Sequence, residues 1–342
     1  MIDEINLPDD TTIIETIESH AAGEPLRVII DGLPELEGET ILEKRRFVKQ
    51  NFDHIRKGLM LEPRGHSDMY GAMITEATTS DGDLGVLFTH NKGYSTMCGH
   101  GIIALTKVVL EAGIISKEED RVTIKYDTPA GRVKATAIIE DGLVKKVSFL
   151  NVPSFVYKSG LSLETSEFGD VRFDIAFGGA FYAYIDVDEI GLNISKENHS
   201  EFVRMGRKIK KKIMDDFEIK HPLKEDLSFL YGTIFVGQAS DPSTHSGNVC
   251  IFADGEVDRS PTGTGVSGRA ALHFSKGELK INEAITIESI LGTTFDVEVV
   301  ETTTYGKYEA IIPKVTGKAY ITGKSSFCFD PEDPLKSGFM LR

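Results

Sequence analysis

The sequence predicts an α+β protein built from two similar lobes, and three observations lead to this expectation. The chain has 342 residues, which exceeds the roughly 250 to 300 residues at which a single core usually stops growing. Strand-like runs dominate both halves without the regular strand–helix alternation of a doubly wound parallel sheet, which favours mainly antiparallel sheets. Each half also contains one glycine-rich stretch that opens an apolar run, CGHG at 98–101 and TGTG at 262–265.

The first half consists of short β-rich runs bounded by Gly, Asp, Asn or Pro, with two helical segments between them. The amphipathic pattern of 41–60 predicts a surface helix. The apolar run after CGHG, at 102–114, predicts a buried helix that stops at Gly113. The strand-like runs lie at 11–20, 26–36, 69–78, 84–93, 122–131, 132–142 and 143–153.

The second half repeats this organisation, with strands at 173–186, 228–237 and 248–258 and a helix at 199–217. The basic residues of that helix indicate a solvated face, because the chain as a whole is acidic. We expect an N-terminal lobe of residues 1–150 plus about 320–342 and a C-terminal lobe of residues 151–319.

Composition and charge exclude several classes of protein. The formal net charge of −15 disfavours a nucleic acid or an anionic membrane as a partner, since both would be repelled. No apolar run approaches the roughly 20 residues of a membrane-spanning helix, and no export signal precedes MIDEINLPDD. Three scattered cysteines are too few for a disulfide framework, so we expect a soluble cytoplasmic protein.

The two glycine-rich stretches predict anion-binding helix starts. Backbone N–H groups at the first turn of a helix have no partner within the helix and bind carboxylate or phosphate. Neither stretch is a nucleotide-binding motif. Cys98 adds a thiol whose pKa we expect the helix N-terminus to lower, leaving nucleophile, metal ligand or base as its possible roles. Cys98 and His100 are too close in sequence to form a zinc site alone, and no CxxC or HExxH accompanies them.

Five motifs give the chain a resemblance along nearly its whole length to the proline racemase superfamily. They are SHAAGEPLRVI at 19–29, EPRGHSDMYGA at 62–72, MCGHGIIAL at 97–105, DRSPTGTG at 258–265, and the terminal GKAYITG with DPEDPLKSGF. The resemblance implies a diaminopimelate-epimerase-like fold, in which each lobe wraps a mainly antiparallel sheet around a central helix. The active site then lies in the cleft between the lobes, and no cofactor is expected.

The second catalytic position departs from the pattern of the racemases. Racemases that resemble this chain place one cysteine in MCGHG and another in DRSPCGTG, on opposite faces of the substrate Cα. Here the second position is Thr262, whose hydroxyl is too weak an acid or base to replace a thiol. Within the resembling superfamily, Cys98 paired with Thr262 implies a trans-3-hydroxy-L-proline dehydratase. Proline racemase, 4-hydroxyproline 2-epimerase and a non-catalytic imino-acid binding protein stay open as alternatives.

The resemblance also implies a set of substrate contacts. Backbone N–H groups of both helix starts would bind the substrate carboxylate, and Asp258 would pair with the ring ammonium. Tyr70 and Phe252 would wall the pocket, Ser95 could contact a ring hydroxyl, and His66 is a weaker candidate for the leaving oxygen. The residues of the two helix starts are Gly99, His100, Gly263 and Thr264.

The expected partner is a small imino acid, hydroxyproline or proline, and the sequence leaves a homodimer open. We expect no metal. The remaining cysteines, Cys250 and Cys328, lie in strand-like runs and are predicted to be buried packing residues.

Overall fold

The computed structural model describes residues 6–116, 118–167 and 169–341. Residues 1–5 lie outside the described residues. They are part of the N-terminal segment for which the sequence predicts no export signal. Residues 117, 168 and 342, which fall within the predicted lobes, also lie outside the described residues.

Five α-helices occur among the described residues. They are α1 (Ile41–Asn51), α2 (Asp53–Met60), α3 (Gly99–Glu111), α4 (His199–Asp216) and α5 (Gly263–Ser275). Short 3₁₀ helices occupy Val187–Ile190, Lys196–Asn198 and Glu225–Leu227. None of the helices in the described ranges is both long and apolar enough to cross a membrane.

The described strands form one hydrogen-bonded network, which is mainly antiparallel. Parallel pairing occurs between β2 and β3, β4 and β6, β11 and β12, and β13 and β15. The strands are β1 (Thr12–Ala21), β2 (Glu24–Asp31), β3 (Tyr70–Thr75), β4 (Leu84–His90), β5 (Gly93–Tyr94), β6 (Arg121–Asp127), β7 (Arg132–Glu140), β8 (Leu143–Leu150), β9 (Ser154–Thr165), β10 (Gly169–Phe177), β11 (Phe181–Asp186), β12 (Leu230–Gly237), β13 (Ser246–Phe252), β14 (Glu256–Asp258), β15 (Ala284–Ser289), β16 (Thr294–Tyr305), β17 (Tyr308–Gly317) and β18 (Ala319–Phe329).

Two helices, α3 and α5, form the centres around which the strands are wrapped. Helix α3 packs against β1, β2, β7, β8, β17 and β18, whereas α5 packs against β9, β10, β16 and β17. Both helices are buried along most of their length, because strands surround them. Their N-terminal ends meet each other, and this meeting point carries the candidate site.

The α+β class predicted from the sequence is confirmed, with a sheet wrapped around each central helix. The predicted surface helix at 41–60 is wrong in one respect, since it is two helices that break at Phe52. A capping box of Thr40 and Glu43 fixes the start of α1, as expected for this residue pair at that spacing.

The C-terminal strand β18 pairs antiparallel with β1 along nearly its whole length, from Thr12 opposite Phe329 to Ala21 opposite Ala319. The end of the chain therefore returns to its beginning. The division into two lobes at the predicted boundaries stays a prediction.

Candidate active site

The starts of α3 and α5 lie directly against each other. A Cβ atom added to Gly263 would lie 2.5 Å from the Gly99 Cα, which is closer than real side chains approach a backbone. Because neither residue has a side chain, the first turns of the two helices can face one small pocket. Both N-termini direct partial positive charge to this place.

Cys98 is the N-cap residue of α3 and is buried, with 5% of its surface exposed. Its Sγ accepts a hydrogen bond from the Gly101 backbone N–H at 3.2 Å. The same sulfur lies 3.2 Å from His100 Nδ1. The His100 ring is buried, which lowers its pKa and leaves it neutral, so its ring nitrogen can accept a hydrogen bond from the thiol.

The expected lowering of the Cys98 pKa is wrong. Burial raises the pKa of the thiol well above its ordinary value, and the nearby charge of Asp258 raises it further. The Gly101 N–H and the Tyr70 hydroxyl oppose this effect without cancelling it. A helix N-terminus stabilises a thiolate, but removing the sulfur from water costs more in this case.

Thr262 occupies the corresponding N-cap position of α5 with φ 68° and ψ 96°, a left-handed conformation that is unusual for a β-branched residue. Its buried hydroxyl has no hydrogen-bond partner among the described residues. The hydroxyl lies close enough to the Cys250 thiol to act against the rise in the pKa of that thiol, without the geometry of a hydrogen bond. A strained residue with an unsatisfied hydroxyl is typical of a functional position.

Asp258 ends β14, where it pairs in register with Cys250 of β13. Residues that pair directly across an antiparallel ladder place their side chains on one face of the sheet, so both side chains reach the pocket. Asp258 is buried, with 5% of its surface exposed, and its carboxylate accepts a hydrogen bond from the Ser260 N–H at 2.8 Å. This carboxylate is the anionic group of the pocket lining.

An aromatic wall closes the pocket. The Tyr70 ring meets His100 edge-on with ring centroids 4.8 Å apart, and Phe252 stacks on Tyr231 at 5.5 Å. The Ser95 hydroxyl lies between the phenols of Tyr70 and Tyr231, at 2.6 Å from Tyr231 and in a short hydrogen bond with Tyr70. A chain of three buried hydroxyls therefore joins residues separated by more than 130 positions in the sequence.

The structure brings the predicted site residues to this pocket, with two exceptions. His66 is exposed outside the lining, where its Nδ1 lies 2.7 Å from the Ser67 carbonyl oxygen. Ser95 lies behind the aromatic wall and contacts the pocket through Tyr70 and Tyr231. The lining residues are Tyr70, Met97, Cys98, Gly99, His100, Tyr182, Tyr231, Cys250, Phe252, Asp258, Thr262, Gly263 and Thr264.

Four of these residues were missed by the sequence analysis: Met97, Tyr182, Tyr231 and Cys250. Tyr182 donates to or accepts from the Thr264 hydroxyl at 2.7 Å and so supports the start of α5. The prediction that Cys250 is a packing residue is incomplete, because the thiol is buried but also lines the pocket. The pairing of Cys250 with Asp258 across the β13–β14 hairpin is the feature that indicates its place in the pocket.

The cavity itself is small, with a volume of about 20 Å³, little more than the space that one water molecule needs. An imino acid can enter only when the walls move apart. The described part of the chain holds no cluster of three or more His, Cys, Asp or Glu side chains suited to a metal ion.

Comparison with known proteins places this arrangement within one family. The model of the family described as proline racemase matches residues 16–340. The chain therefore belongs to the proline racemase family.

Several members of that family are similar over almost the whole chain. A trans-3-hydroxy-L-proline dehydratase of Colwellia psychrerythraea is 51% identical, with 96% of this chain and 93% of the relative covered. A proline racemase of Clostridioides difficile is 40% identical, with coverage of 96% and 98%. The crystal structure of a hydroxyproline epimerase from Agrobacterium vitis with bound trans-4-hydroxy-L-proline superposes with a TM-score of 0.92 at 31% identity, covering 96% of this chain and 95% of that one.

Proposed function

We propose that this protein is a trans-3-hydroxy-L-proline dehydratase that removes water to give Δ1-pyrroline-2-carboxylate, with Cys98 as the base. One observation carries the proposal. The two helix starts that face the pocket offer a thiol at Cys98 and a hydroxyl at Thr262, so only one of the two N-cap positions can exchange a proton with Cα. The naming of relatives such as the Colwellia dehydratase supports the same activity.

Substrate binding follows from the charges of the pocket. The carboxylate would accept hydrogen bonds from first-turn N–H groups of α3 and α5, which include those of Gly99 and Gly263. The ring ammonium would lie against Asp258. These contacts spread and compensate the charge that develops when Cα loses its proton, and that charge is the main obstacle to the reaction.

Proton abstraction starts from a protonated thiol, because burial raises the pKa of Cys98. The neutral His100 ring, 3.2 Å from the sulfur, can accept a hydrogen bond from the thiol, and the thiol proton must leave to solvent before the sulfur can act as a base. The ring ammonium of the substrate would also offset the charge of Asp258, which otherwise disfavours the thiolate. The thiolate then breaks the Cα–H bond and forms a new S–H bond.

The stereochemistry of the substrate explains why one thiol is enough. In trans-3-hydroxy-L-proline the hydroxyl is trans to the carboxylate, so the α-hydrogen and the hydroxyl lie on the same face of the ring. Cys98 can remove the hydrogen and, once protonated, return that proton to the departing hydroxide as water. No group needs to deliver a proton from the Thr262 side, and the enamine product tautomerises to the cyclic imine.

A second candidate function is isomerisation of proline or 4-hydroxyproline. The observation in its favour is Cys250, a second thiol of the pocket that lies beside Thr262. Burial raises its pKa, as it does for Cys98, so the thiol starts protonated and could deliver a proton to Cα. A non-catalytic imino-acid binding protein is a third candidate, but it has no need for the Cys98–His100 contact.

The test is to incubate the pure protein separately with L-proline, trans-4-hydroxy-L-proline and trans-3-hydroxy-L-proline. We expect imine from the 3-hydroxy compound alone and no D-isomers. Cys98→Ser should lower the rate of imine formation about 10²- to 10⁴-fold, as is usual when a general base is removed. Appearance of D-isomers would favour the isomerase, and binding without turnover would favour the binding protein.

Thr262→Cys tests the stereochemical argument directly. A thiol at this position should open a path for proton return and yield D-proline or an epimer of 4-hydroxyproline. If Thr262→Cys folds and leaves every product unchanged, the residue on the opposite face does not decide which reaction the protein catalyses.

A further inference from the structure

The tip of the first hairpin reaches across to the second half of the chain. Ala22 and Gly23 form a tight turn between β1 and β2 with positive φ at both residues. The Thr293 hydroxyl donates a hydrogen bond to the Ala22 carbonyl at 2.7 Å, and a Cβ on Gly23 would lie 2.8 Å from Leu291 Cδ1. Glu24 follows this turn directly and is thereby brought against the segment that carries Asp258.

The Glu24 side chain is completely buried. Its Oε2 accepts a hydrogen bond from the backbone N–H of Arg259 at 2.7 Å. Its Oε1 has no hydrogen-bond partner among the described residues. One N–H group is little compensation for a buried negative charge, since ionised carboxylates in protein interiors are normally paired or bonded several times.

The charged groups around Glu24 disfavour its ionisation as well. Burial is the largest cause raising the pKa of Glu24 well above its ordinary value, and the charge of Asp258 adds to it. Asp68 acts in the same direction, whereas the Arg259 guanidinium opposes both. That guanidinium is already paired with Asp68 at 2.9 Å. The two thiols of the pocket, Cys98 and Cys250, also lie within electrostatic range of Glu24.

We propose that Glu24 is a positioning residue, which holds the Asp258 segment as a neutral carboxylic acid and releases its proton when a ring ammonium binds to Asp258. The proposal depends on the proposed function only in assigning the ring ammonium to Asp258. Glu24 does not line the pocket, so it acts through the neighbouring Arg259 N–H and through its charge.

Ligand binding moves one proton, that of the Glu24 carboxyl group. The incoming ammonium brings one positive charge next to Asp258 and so removes the main repulsion that a Glu24 carboxylate would feel. The Glu24 O–H bond then breaks, and its proton leaves to the buffer. The Glu24 charge, which lies behind the pocket lining, then adds to that of Asp258 in attracting the ring nitrogen, and the proton returns when the ligand leaves.

The first test is infrared difference spectroscopy at pH 7. The spectrum of the wild-type protein minus that of Glu24→Gln should contain the carbonyl stretch of a protonated carboxyl group, and saturating L-proline should remove it. Glutamine keeps an oxygen acceptor for the Arg259 N–H, and thermal unfolding checks that the variant folds.

The second test counts protons by titration calorimetry with L-proline in two buffers of different ionisation enthalpy. The Cys98→Ser background removes the neighbouring thiol as a source of protons. We expect the Cys98→Ser variant to release about one proton more per bound ligand than the double variant Cys98→Ser/Glu24→Gln. Linkage requires this difference when one group ionises on binding.

Glu288 provides a matched control. It is another buried glutamate, but against the effect of burial its pKa is lowered by hydrogen bonds from the Ser240 hydroxyl and from the backbone N–H groups of Asp241 and Ser240. Glu288→Gln should therefore leave both the carboxyl band and the proton count unchanged.

Three results would overturn the inference: no protonated carboxyl band assignable to Glu24, a band that L-proline does not alter, or equal proton counts with and without Glu24. Failure of L-proline to bind would overturn it as well, because Asp258 would then have no ammonium partner. A wild-type protein that makes no imine from trans-3-hydroxy-L-proline but shows the band and the proton release would refute the proposed function alone.

Discussion

The contact between the two helix starts makes a quantitative prediction for Gly263→Ala. The backbone of Gly263 is helical, and alanine is intrinsically more favourable than glycine in a helix by up to about 1 kcal/mol. Helix propensity alone therefore predicts a protein that is slightly more stable and fully active. The geometry of the contact predicts instead that Gly263→Ala is less stable and less active than the wild-type protein.

The magnitude follows from the distances. The new Cβ would lie 2.5 Å from Gly99 Cα, 3.1 Å from Gly99 C and 3.4 Å from Gly99 N, whereas ordinary contacts begin at 3.4 Å. The atoms that it meets belong to the backbone of a buried helix start and cannot rotate away. The first turns of α3 and α5 must separate by about 0.9 Å, the difference between 3.4 and 2.5 Å.

A separation of this size should reduce both the activity and the stability of the protein. A misplacement of roughly 1 Å costs about 10²-fold in rate, which corresponds to about 2.7 kcal/mol at 1.36 kcal/mol per factor of ten. Overpacking costs about 1 to 3 kcal/mol of stability. We therefore expect Gly263→Ala to fold with reduced stability and to lose about 10²-fold in kcat.

The assay is the rate of imine formation from trans-3-hydroxy-L-proline, together with the free energy of unfolding from denaturant titration. Gly99→Ala should give the same result from the other side of the contact. Gly323→Ala in β18 is the control, because a Cβ there meets no atom within 4 Å. A Gly263→Ala protein with unchanged kcat and increased stability would refute the reasoning.

Three further predictions concern the chemistry of the pocket. Because burial raises the pKa of Cys98, kcat/KM for imine formation should still rise with pH above 7; a plateau already reached at pH 6 would contradict this. Asp258→Asn should lower kcat/KM at least about 30-fold, since losing one partner of a buried charge pair costs about 2 kcal/mol or more. The same variant should also move the pH profile to lower pH, because the Asp258 charge raises the pKa of Cys98. Ser95→Ala should reduce the free energy of unfolding by about 1 to 3 kcal/mol in denaturant titration, since two buried phenols lose their shared partner; a loss below about 0.5 kcal/mol would show that the hydroxyl chain is unimportant for stability.

The positions of the two helix starts could be predicted from the sequence because their signals are local. A glycine-rich turn followed by an apolar run specifies where a helix begins, whatever the rest of the chain does. Cys98 and Thr262 are N-cap residues, as that pattern implies. The helix at 41–60 was predicted less accurately, because the amphipathic pattern continues through the break at Phe52.

The acid–base properties of Cys98 could not be predicted in the same way. The helix N-terminus is a local feature and lowers the pKa of the thiol, but the opposing effect comes from burial. Burial is produced by residues such as Tyr70, Phe252 and Tyr231, which come from distant strands. Their distance from the sulfur depends on the packing of the whole chain.

The sequence by itself determined the α+β class, the two helix starts with one thiol and one hydroxyl, and Asp258 as the anionic group close to the second start. Only the tertiary structure decided that Gly99 and Gly263 touch, that Cys250 faces the pocket while His66 does not, and that Glu24 is buried beside Asp258. Helix and strand patterns repeat over two to four residues, so they can be recognised in a short stretch of sequence. Contacts between residues more than 130 positions apart, and the burial that sets their charge, arise only when the chain has packed.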